Sequence, residues 1–359
     1  MLKPEFWKGK RVFVTGHTGF KGSWLCLWLS RLGAQVTGYA LPPPTDPSLF
    51  DMARVGELVD SRVGDVRDLP ALEAALQASG AEVVIHMAAQ SLVRYSYDHP
   101  VETFATNVLG TVHLLDAVRR APSVRAVVIV TSDKCYYNNE WVWGYREDSR
   151  LGGHDPYSGS KGCAELVVTA YQHSYFSADR HAGAAVVGSA RAGNVIGGGD
   201  WALDRLVPDI LRSLLKGQPT LIRNPQATRP WQHVMEPLHG YLMLAERLYA
   251  DGHAFASGWN FGPPEESERT VGWIIEKLYD LWGVDFEWVR DRNPGPPEST
   301  FLKLDASKAR AHLGWRPKLD LETTLAWIVD WTRRYQAGGD MRQASLDDIE
   351  RFMAIVPKA

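Results

Sequence analysis

The sequence predicts a doubly wound α/β fold: a parallel sheet covered by helices on both faces, with a smaller mixed α/β domain beside it. Through the first 192 residues, short apolar strands alternate with helical segments, a pattern typical of parallel strands buried on both faces. After residue 192, glycine- and proline-rich loops such as AGNVIGGGDW and DRNPGPPEST separate shorter helices. With 359 residues, 45% of them hydrophobic, the chain exceeds one unit of about 150 residues.

The elements can be placed in order along the chain. The apolar run KRVFVTG (10–16) is the first strand, and the helix SWLCLWLSRLG presents a broad face of leucines and tryptophans before it ends at Gly33. Other strands of the first part are predicted at 34–41, 82–89, 124–131 and 183–191, and other helices at 101–121 and from Pro156 through the region of Tyr171. Helices of the second part are predicted at 204–216, 234–250, 270–282 and 321–335.

Two domains are expected from these elements. Residues 1–192 and 234–262 form the sheet domain, and residues 193–233 and 263–359 form the smaller one. Ligands of open α/β sheets bind beyond the carboxyl ends of the strands. We therefore expect a cleft between the two domains at that edge of the sheet.

Composition and charge argue against several classes of partner. The formal net charge is −3 and no block of like charge occurs, so neither a nucleic-acid surface nor a membrane surface is expected. The N-terminus lacks the apolar core of a signal peptide, and no apolar run approaches about 18 residues, which predicts a cytoplasmic protein. Cys26, Cys135 and Cys163 form no CxxC pair, and the histidines show no ligand spacing. Neither a disulfide framework nor a metal site is therefore expected.

The segment TGHTGFKG places Gly16, Gly19 and Gly22 between the first strand and the first helix. Glycine permits the tight turn and a close approach of backbone N–H groups to a diphosphate, whose charge the helix N-terminus favours. The spacing is GxxGxxG, which differs from the commonest dinucleotide fingerprint. The alternative is a turn glycine followed by a helix-packing glycine. In its strand-and-helix context, we interpret the segment as a dinucleotide-binding loop.

The second strand leaves the choice between NAD and NADP open. An Asp or Glu at its end indicates NAD and a nearby Arg indicates NADP, but the strand ends in Thr37, Gly38, Tyr39 and Ala40. Asp65 lies at the end of a third strand, in GDVRD. It is placed to meet the adenine, with an ordinary turn acid as an equal alternative.

Tyr157 and Lys161 stand four residues apart in YSGSK and share one face of a predicted helix. Tyrosine, with an ordinary pKa of ~10, is a poor base at neutral pH. A neighbouring lysine cation and a positively charged cofactor both favour the phenolate. Bringing the tyrosine pKa close to neutrality takes roughly 4 kcal/mol of differential stabilisation. Because Ser132 ends the preceding strand, we interpret the pair as catalytic.

The segments TGHTGFKG, HMAAQ, TSDK and YSGSK occur in the order and spacing of the extended short-chain dehydrogenase/reductases, which the sequence resembles over nearly its whole length. That group contains nucleotide-sugar epimerases and dehydratases. The segments TSDKCYYN, WGYRE, DPYSGSK, RAGNVIGGGDW and RPWQHV are more narrowly similar to its members that dehydrate CDP-glucose. The resemblance implies an NAD-binding sheet domain, a second domain that binds CDP-glucose, and a homodimer paired through helix 103–120 and the Tyr157 helix.

The resemblance also implies roles for individual residues. Tyr157 and Lys161 match the catalytic pair, which contacts NAD as well, and Ser132 matches the hydroxyl that orients the sugar. Other NAD-binding positions are matched by Gly16, His17, Thr18, Gly19, Phe20, Lys21, Gly22, Asp65, Val66, Ala88, Ala89, Gln90, Asn107 and Thr131. Positions that bind the nucleotide diphosphate are matched by Asn194, Arg229 and Arg292, and Arg205 is a further candidate.

The implied reaction has three parts. Tyr157 takes the O4 proton as hydride leaves C4 for NAD, water is lost across C5 and C6, and hydride returns to C6. The elimination needs a base and an acid, for which Asp133 and Lys134 are the candidates. The related dTDP-glucose and GDP-mannose dehydratases carry Glu where this sequence has Lys134. A lysine, with an ordinary pKa of ~10.4, must lose solvation to act as a base.

Two assignments of the elimination stay open. In the first, Lys134 is desolvated and takes the C5 proton, while a protonated Asp133 donates to the C6 hydroxyl. In the second, Asp133 is the base, and Lys134 stays cationic to stabilise the enolate or to protonate the leaving group. The neighbouring cation favours the second assignment; the resemblance favours the first, which we adopt. A loop-end ion pair without a catalytic part is the remaining alternative.

Two other functions fit parts of the pattern. A nucleotide-sugar 4-epimerase needs the Tyr–Lys pair and NAD but no acid–base couple at Asp133 and Lys134; a dehydratase acting on another NDP-hexose needs both. A non-catalytic NAD-sensing protein on the same fold usually loses the Tyr–Lys pair, which this sequence keeps. A deoxysugar precursor of O-antigen-type lipopolysaccharide is the product that the resemblance implies.

Overall fold

A computed structural model of the chain describes residues 2–178, 183–285, 288–291 and 301–356. The strands are β1 (Arg11–Thr15), β2 (Gln35–Ala40), β3 (Asp60–Val63), β4 (Val83–His86), β5 (Ala126–Val130), β6 (Val186–Arg191), β7 (Val195–Ile196), β8 (Thr220–Ile222), β9 (Thr228–Pro230), β10 (Gln232–His233), β11 (Gly258–Asn260), β12 (Glu268–Thr270) and β13 (Trp288–Arg290). The α-helices are α1 (Pro4–Trp7), α2 (Phe20–Arg31), α3 (Leu49–Met52), α4 (Leu69–Ser79), α5 (Val93–Asp98), α6 (Pro100–Phe104), α7 (Gly110–Arg119), α8 (Pro156–Ser174), α9 (Leu206–Lys216), α10 (Met235–Asp251), α11 (Val271–Trp282), α12 (Leu321–Gln336) and α13 (Met341–Ala354).

One parallel sheet organises the first part of the molecule. Among the described residues, seven strands pair in the order β11-β6-β5-β4-β1-β2-β3. The order reverses between β1 and β4, which pair with each other from Val12–Val83 to Thr15–His86. Such a reversal opens a crevice beyond the carboxyl ends of the two strands, where doubly wound sheets bind their ligands. The predicted doubly wound parallel sheet is confirmed.

Both faces of this sheet are covered by helices, and its central strands are buried along their whole length. Every residue of β4 and β5 is buried. On one face, α2, α10 and α13 share a core that contains Trp24, Trp28 and Phe352. On the other face, α4, α7 and α8 contribute Leu76, Leu115 and Val168. Full burial of one such side chain stabilises the fold by roughly 1.5–3 kcal/mol, so these cores fix the strand ends from which the site residues come.

The second part of the molecule has its own apolar core. Helices α9, α11 and α12 pack through Ile210, Leu278 and Ile328, beside the strand pairs β8–β13, β9–β12 and β7–β10. The helices predicted at 204–216, 234–250, 270–282 and 321–335 agree with α9 to α12 within two residues at either end. The expected domain boundaries stay a prediction, which the pairing of β11 with β6 supports for segment 234–262.

The helix predicted at 101–121 is interrupted. Helix α6 ends at Phe104, a π-helical turn follows at Ala105–Leu109, and α7 begins at Gly110. The turn contains the buried Asn107. Turns of this kind inside α-helices frequently lie at functional sites.

No membrane span or metal centre is found in the part of the chain that the structure describes. None of its helices is long and apolar enough to cross a bilayer. Across the same residues, no group of three or more His, Cys, Asp or Glu side chains is arranged to hold a metal ion. All three cysteines are free thiols.

Candidate active site

The glycine loop lies at the reversal of strand order, between β1 and α2. Gly16 has a φ of 75°, and a β-carbon on it would lie 2.7 Å from the backbone nitrogen of Ala88. A β-carbon on Gly22 would lie 2.1 Å from the carbonyl oxygen of Gly16. Gly19 precedes α2, and no side chain caps the first N–H groups of that helix. A tight turn with a close backbone approach and an uncapped helix N-terminus fits a dinucleotide diphosphate.

Two side chains of the loop are turned away from this N-terminus. His17 is buried, with its ring against Gly38 of β2 and its Nε2 2.8 Å from Ser61 Oγ. Burial lowers the pKa of His17 to about 4. Thr18 donates its hydroxyl to the carbonyl oxygen of Leu41 at 2.8 Å. The end of β2, which gave no cofactor signal, therefore accommodates the His17 ring.

Lys21 is a half-buried residue of the loop that acts on the predicted catalytic groups. Its ammonium donates to the Tyr241 hydroxyl at 3.0 Å. Burial, followed by the charges of Lys161 and Arg205, lowers the pKa of Lys21 to about 7, while the charge of Asp133 acts in the opposite direction. Lys21 thus joins the glycine loop to the residues predicted to act on the sugar.

The chain beyond β4 is held in place by the π-helical turn. Asn107 Oδ1 accepts from the Gln90 N–H at 2.9 Å, and its Nδ2 donates to the Gln90 carbonyl at 3.0 Å. The same amide donates to Ser160 Oγ on α8 at 2.8 Å. Asn107 therefore fixes the backbone of the segment that contains Ala88, Ala89 and Gln90 against the Tyr157 helix.

Asp65 and Val66 follow β3 at the same edge of the sheet. A hydrogen bond from Arg67 holds the pKa of the Asp65 carboxyl below its ordinary value. Val66 is buried, and its carbonyl lies 3.0 Å from His113 Nδ1. The Asp65 carboxylate is thus already paired within its own turn, and its contact with adenine stays a prediction.

Tyr157 and Lys161 lie one turn apart on α8, with only 8% and 6% of their surfaces exposed. Burial raises the pKa of Tyr157 to about 12, against the lowering effects of a hydrogen bond with Ser132 and of the charge of Arg205. Burial also lowers the pKa of Lys161 to about 8. Desolvation in the chain itself therefore outweighs the expected lowering of the tyrosine pKa by charged neighbours.

Ser132, Asp133 and Lys134 form a short turn that follows β5 after one residue. We call this segment the catalytic turn, after the roles predicted for it. Ser132 Oγ accepts from the Lys134 N–H at 3.2 Å and donates to Asp133 Oδ1 at 2.9 Å. Asp133 is 3% exposed and also accepts from Asn194 Nδ2 at 3.4 Å. Lys134 is half-buried, and none of the described residues pairs with its ammonium group. Asp133 is thus fixed on two sides, whereas the Lys134 side chain is available to a ligand.

The absence of a side chain at Gly193 leaves the space that the Asp133 carboxylate occupies. A β-carbon at this position would lie 1.8 Å from Asp133 Oδ2. We expect Gly193→Ala to displace the carboxylate and to lower kcat for the dehydration proposed below by about 10²-fold, the penalty for a misplacement of about 1 Å. Gly159→Ala on α8 is the matched control, because its β-carbon would make an ordinary 3.6 Å contact with Phe104. Wild-type kcat in Gly193→Ala would mean that the position of Asp133 is unimportant.

The predicted substrate-binding arginines are dispersed. Arg205 donates to Asp200 Oδ2 at 3.0 Å and to Ser91 Oγ at 2.9 Å, and its charge acts on Tyr157. Arg229 lies on β9, where it donates to the Thr228 carbonyl at 2.9 Å. Arg292 lies outside the described residues. The structure therefore brings Arg205 to the catalytic groups and leaves the roles of the other two as predictions.

Several residues that shape the site were not predicted. Glu165 accepts the hydroxyl of Thr131 beneath the catalytic turn, Gly193 makes room for Asp133, and Tyr241 holds Lys21. Glu165 follows Lys161 by four residues, so helical spacing was a usable signal for it. Gly193 lies in the glycine-rich segment AGNVIGGGDW, but its contact with Asp133 depends on the fold, and no local pattern marks Tyr241.

Comparisons with known proteins identify the family to which the chain belongs. The family model for GDP-mannose 4,6 dehydratase matches residues 13–327. The chain is 54% identical to a CDP-glucose 4,6-dehydratase of Salmonella typhimurium, over 99% of both chains. A dTDP-glucose 4,6-dehydratase of Streptomyces venezuelae, solved with NAD bound, superposes with a TM-score of 0.76 at 26% identity, over 92% of this chain and 99% of that one. MoeE5 in complex with UDP-glucose and NAD gives a TM-score of 0.75 at 26% identity, over 91% and 99%.

These similarities extend over nearly the whole chain. They include both the sheet and the second part of the molecule, the smaller part built on α9, α11 and α12, which we call the second lobe. The match to the family model covers well over half of the residues. The resemblance to extended short-chain dehydrogenase/reductases that the motifs predicted is confirmed, and the chain belongs to the GDP-mannose 4,6-dehydratase family.

Proposed function

We propose that the chain dehydrates CDP-D-glucose to CDP-4-dehydro-6-deoxy-D-glucose, with NAD held in the cleft throughout. The observation that carries this proposal is that the turn with Asp133 and Lys134 packs against α8, where the charge of Asp133 acts on Tyr157. The chain thus has a candidate acid and base for the elimination, Asp133 and Lys134, in addition to the Tyr157–Lys161 pair that oxidation at C4 requires. The identity of 54% to the Salmonella typhimurium enzyme supports CDP-glucose as the substrate. The product belongs to the deoxysugar precursors of O-antigen-type lipopolysaccharide.

The fit of the glycine loop supports NAD as the cofactor. Gly16, Gly19 and the N-terminus of α2 would hold its diphosphate, and the resemblance implies that Lys161 would also contact the cofactor. Relatives of similar fold were solved with NAD bound. The chemistry that NAD supplies is the acceptance of hydride from C4 and its return to C6. Its positive charge also favours the phenolate of Tyr157, which the chain alone disfavours.

Each residue of the site has a role in this reaction. Tyr157 takes the proton of the sugar O4, and Ser132 orients that hydroxyl through its own hydrogen bonds. Once C4 is a ketone, the C5 proton is acidic, and Lys134 removes it. Asp133 donates a proton to the departing C6 hydroxyl. Lys134 would act as the neutral amine, and no described side chain holds it away from the sugar, whereas the hydrogen bonds of Asp133 fix the position of the proposed acid.

Four polar residues are candidates to hold the CDP group. Asn194 has a φ of 50° and links the second lobe to Asp133. Arg205 stands near Tyr157, where its planar guanidinium suits a diphosphate oxygen. Arg229 and Arg292 complete the proposed set.

A panel of CDP-, UDP-, dTDP- and GDP-hexoses tests the proposed function. We expect CDP-glucose to give a product lighter by one water, with the alkali-labile chromophore of a 4-keto sugar. A product of unchanged mass, with the C4 hydroxyl inverted, would identify a 4-epimerase. Cofactor binding without turnover of any sugar nucleotide would identify a sensing protein. Dehydration of only a different NDP-glucose would retain the reaction class and overturn the choice of CDP.

We further propose that the enzyme is a cytoplasmic homodimer paired through α6, α7 and α8. Val101 is 82% exposed, and Leu109 and Leu166 are 51% and 59% exposed on the same group of helices. An apolar groove formed by Pro100, Val101, Phe104, Ala105, Val108 and Leu109 lies on this surface. Such a patch is typical of a protein–protein interface.

Val101→Glu is expected to convert the dimer to a monomer, because a charge would be buried without a partner in the interface. Sedimentation velocity measures the change in mass. Leu221→Glu is the control, since Leu221 is 66% exposed on β8 in the second lobe. A Val101→Glu protein that sediments like the wild type would contradict this choice of interface.

A further inference from the structure

A buried carboxylate lies on the catalytic face of α8. Tyr157, Lys161 and Glu165 follow one another at intervals of four residues, so they line one side of the helix. Glu165 is 2% exposed. The reaction proposed above gives it no part, because both of its carboxylate oxygens accept hydrogen bonds from Thr131, Ser189 and Arg191.

Glu165 is paired with Arg191, the last residue of β6. Glu165 Oε2 accepts from Arg191 Nη2 and from Ser189 Oγ, each at 2.7 Å. Arg191 is 5% exposed. The guanidinium holds the pKa of the Glu165 carboxyl below its ordinary value in spite of burial, and Glu165 raises the pKa of Arg191. Both partners are therefore ionised, with no solvent to compete for them.

This pair contacts the chain on both sides of the catalytic turn. Thr131, the residue before Ser132, donates its hydroxyl to Glu165 Oε1. Arg191 Nη1 donates to the hydroxyl of Tyr136, which follows the turn. Tyr136 in turn donates to Asn260 Oδ1 at 2.8 Å. The turn is thus connected at its start and at its end to one buried ion pair.

We propose that the Glu165–Arg191 ion pair is a positioning device for the reaction: it fixes Ser132, Asp133 and Lys134 from both flanks, and its carboxylate lies one helical turn from Lys161, whose charge it balances. The inference rests on the proposed function, because it assigns to the pair a task in that chemistry. A purely structural pair would stabilise the fold and leave catalysis by the folded enzyme unchanged.

Glu165 is the main negatively charged group that acts on the Lys161 ammonium. Burial lowers the pKa of Lys161 to about 8, and Glu165, followed by Cys135, acts to raise it. Lys161 also acts electrostatically with Lys21 on α2 and His86 on β4, whose pKa values are lowered first by burial and then by the charge of Lys161. Because the Cys135 thiol is itself buried, with a raised pKa, it supplies little charge near neutral pH.

The test is the pH profile of kcat for Glu165→Gln with CDP-glucose. Loss of the carboxylate should lower the pKa of Lys161, so the alkaline limb of the profile should move to lower pH. We expect kcat to fall by about 10–100-fold as the turn loosens, with KM close to the wild-type value. Glu246→Gln is the matched control: Glu246 is 5% exposed and accepts from Trp7 Nε1 at 2.9 Å, far along the chain from the site. That variant should melt earlier and keep the wild-type profile.

A second variant keeps the proposal testable if Glu165→Gln does not fold. Thr131→Val removes the hydrogen bond to Glu165 at the start of the catalytic turn and leaves the ion pair with Arg191 intact. We expect it to lower kcat about fivefold, the equivalent of one ordinary hydrogen bond, with the alkaline limb unmoved. Wild-type kcat in Thr131→Val would overturn the positioning of the turn, and an unmoved alkaline limb in a folded Glu165→Gln would overturn the effect on Lys161.

The same assays separate this inference from the proposed function. If the wild-type enzyme does not dehydrate CDP-glucose, the proposed function fails. If it does, and Glu165→Gln matches its kcat and pH profile while only its melting temperature falls, the positioning inference fails alone.

Discussion

Tyr157→Phe is expected to lower kcat for CDP-glucose dehydration by about 10²–10⁴-fold, the range over which general acid–base catalysis contributes. The variant keeps the buried ring but lacks the hydroxyl that takes the O4 proton. KM should stay close to the wild-type value, because the ring still fills a site in which only 8% of the tyrosine is exposed. The initial rate of 4-keto product formation measures the effect.

The control for this variant comes from the same helix. Tyr171 lies farther along α8, where its ring contacts Tyr175 and Phe176 rather than the catalytic turn. Tyr171→Phe should therefore keep wild-type kcat. A Tyr157→Phe enzyme with more than about one tenth of the wild-type kcat would remove Tyr157 from the role of base.

Substitutions of Asp133 and Lys134 are expected to distinguish the two assignments of acid and base in the elimination. Lys134→Met should abolish solvent deuterium exchange at C5 together with dehydration, because the proposed C5 base is gone. Asp133→Asn should still exchange the C5 proton and yet lower dehydration by about 10²–10⁴-fold, because the proposed acid is missing. Mass spectrometry of the recovered sugar nucleotide, after incubation in deuterated water, reports the exchange.

The reverse pattern has a clear meaning. Normal C5 exchange in Lys134→Met, with loss of exchange in Asp133→Asn, would make Asp133 the base and leave lysine as the cation that assists the leaving group. Asn194→Ala is a useful companion, since it removes the amide that donates to Asp133 at 3.4 Å. We expect this variant to lower kcat less than Asp133→Asn, because the hydrogen bond from Ser132 remains.

The fold was predictable because its signals are local. The apolar strands, the glycine loop and the helix that begins near Pro156 were all evident from periodicity and from turn residues. The helix at 101–121 was predicted without its interruption. The π-helical turn depends on a contact between Asn107 and Gln90, which lie on separate elements, and no single segment encodes such a contact.

The site was predictable where motifs mark it, and less so where it depends on packing. The Tyr–Lys spacing predicted one shared face of a helix, and the structure places both side chains buried on α8. The electrostatics of this pair differ from the expectation, because the degree of burial that raises the pKa of Tyr157 to about 12 is set by the whole fold. The Glu165–Arg191 pair was missed for a related reason: helical spacing marks Glu165, but its partner comes from β6, and only the fold brings the two together.

The central claim is that C4 is oxidised and that the same hydride returns to C6 after water is lost. It is tested most directly with CDP-glucose that carries deuterium at C4, followed by location of the label in the product. The account predicts a 4-keto-6-deoxy sugar with the deuterium at C6. Deuterium that stays at C4 of a hexose with an inverted hydroxyl, or that is absent from a dehydrated product, would contradict it.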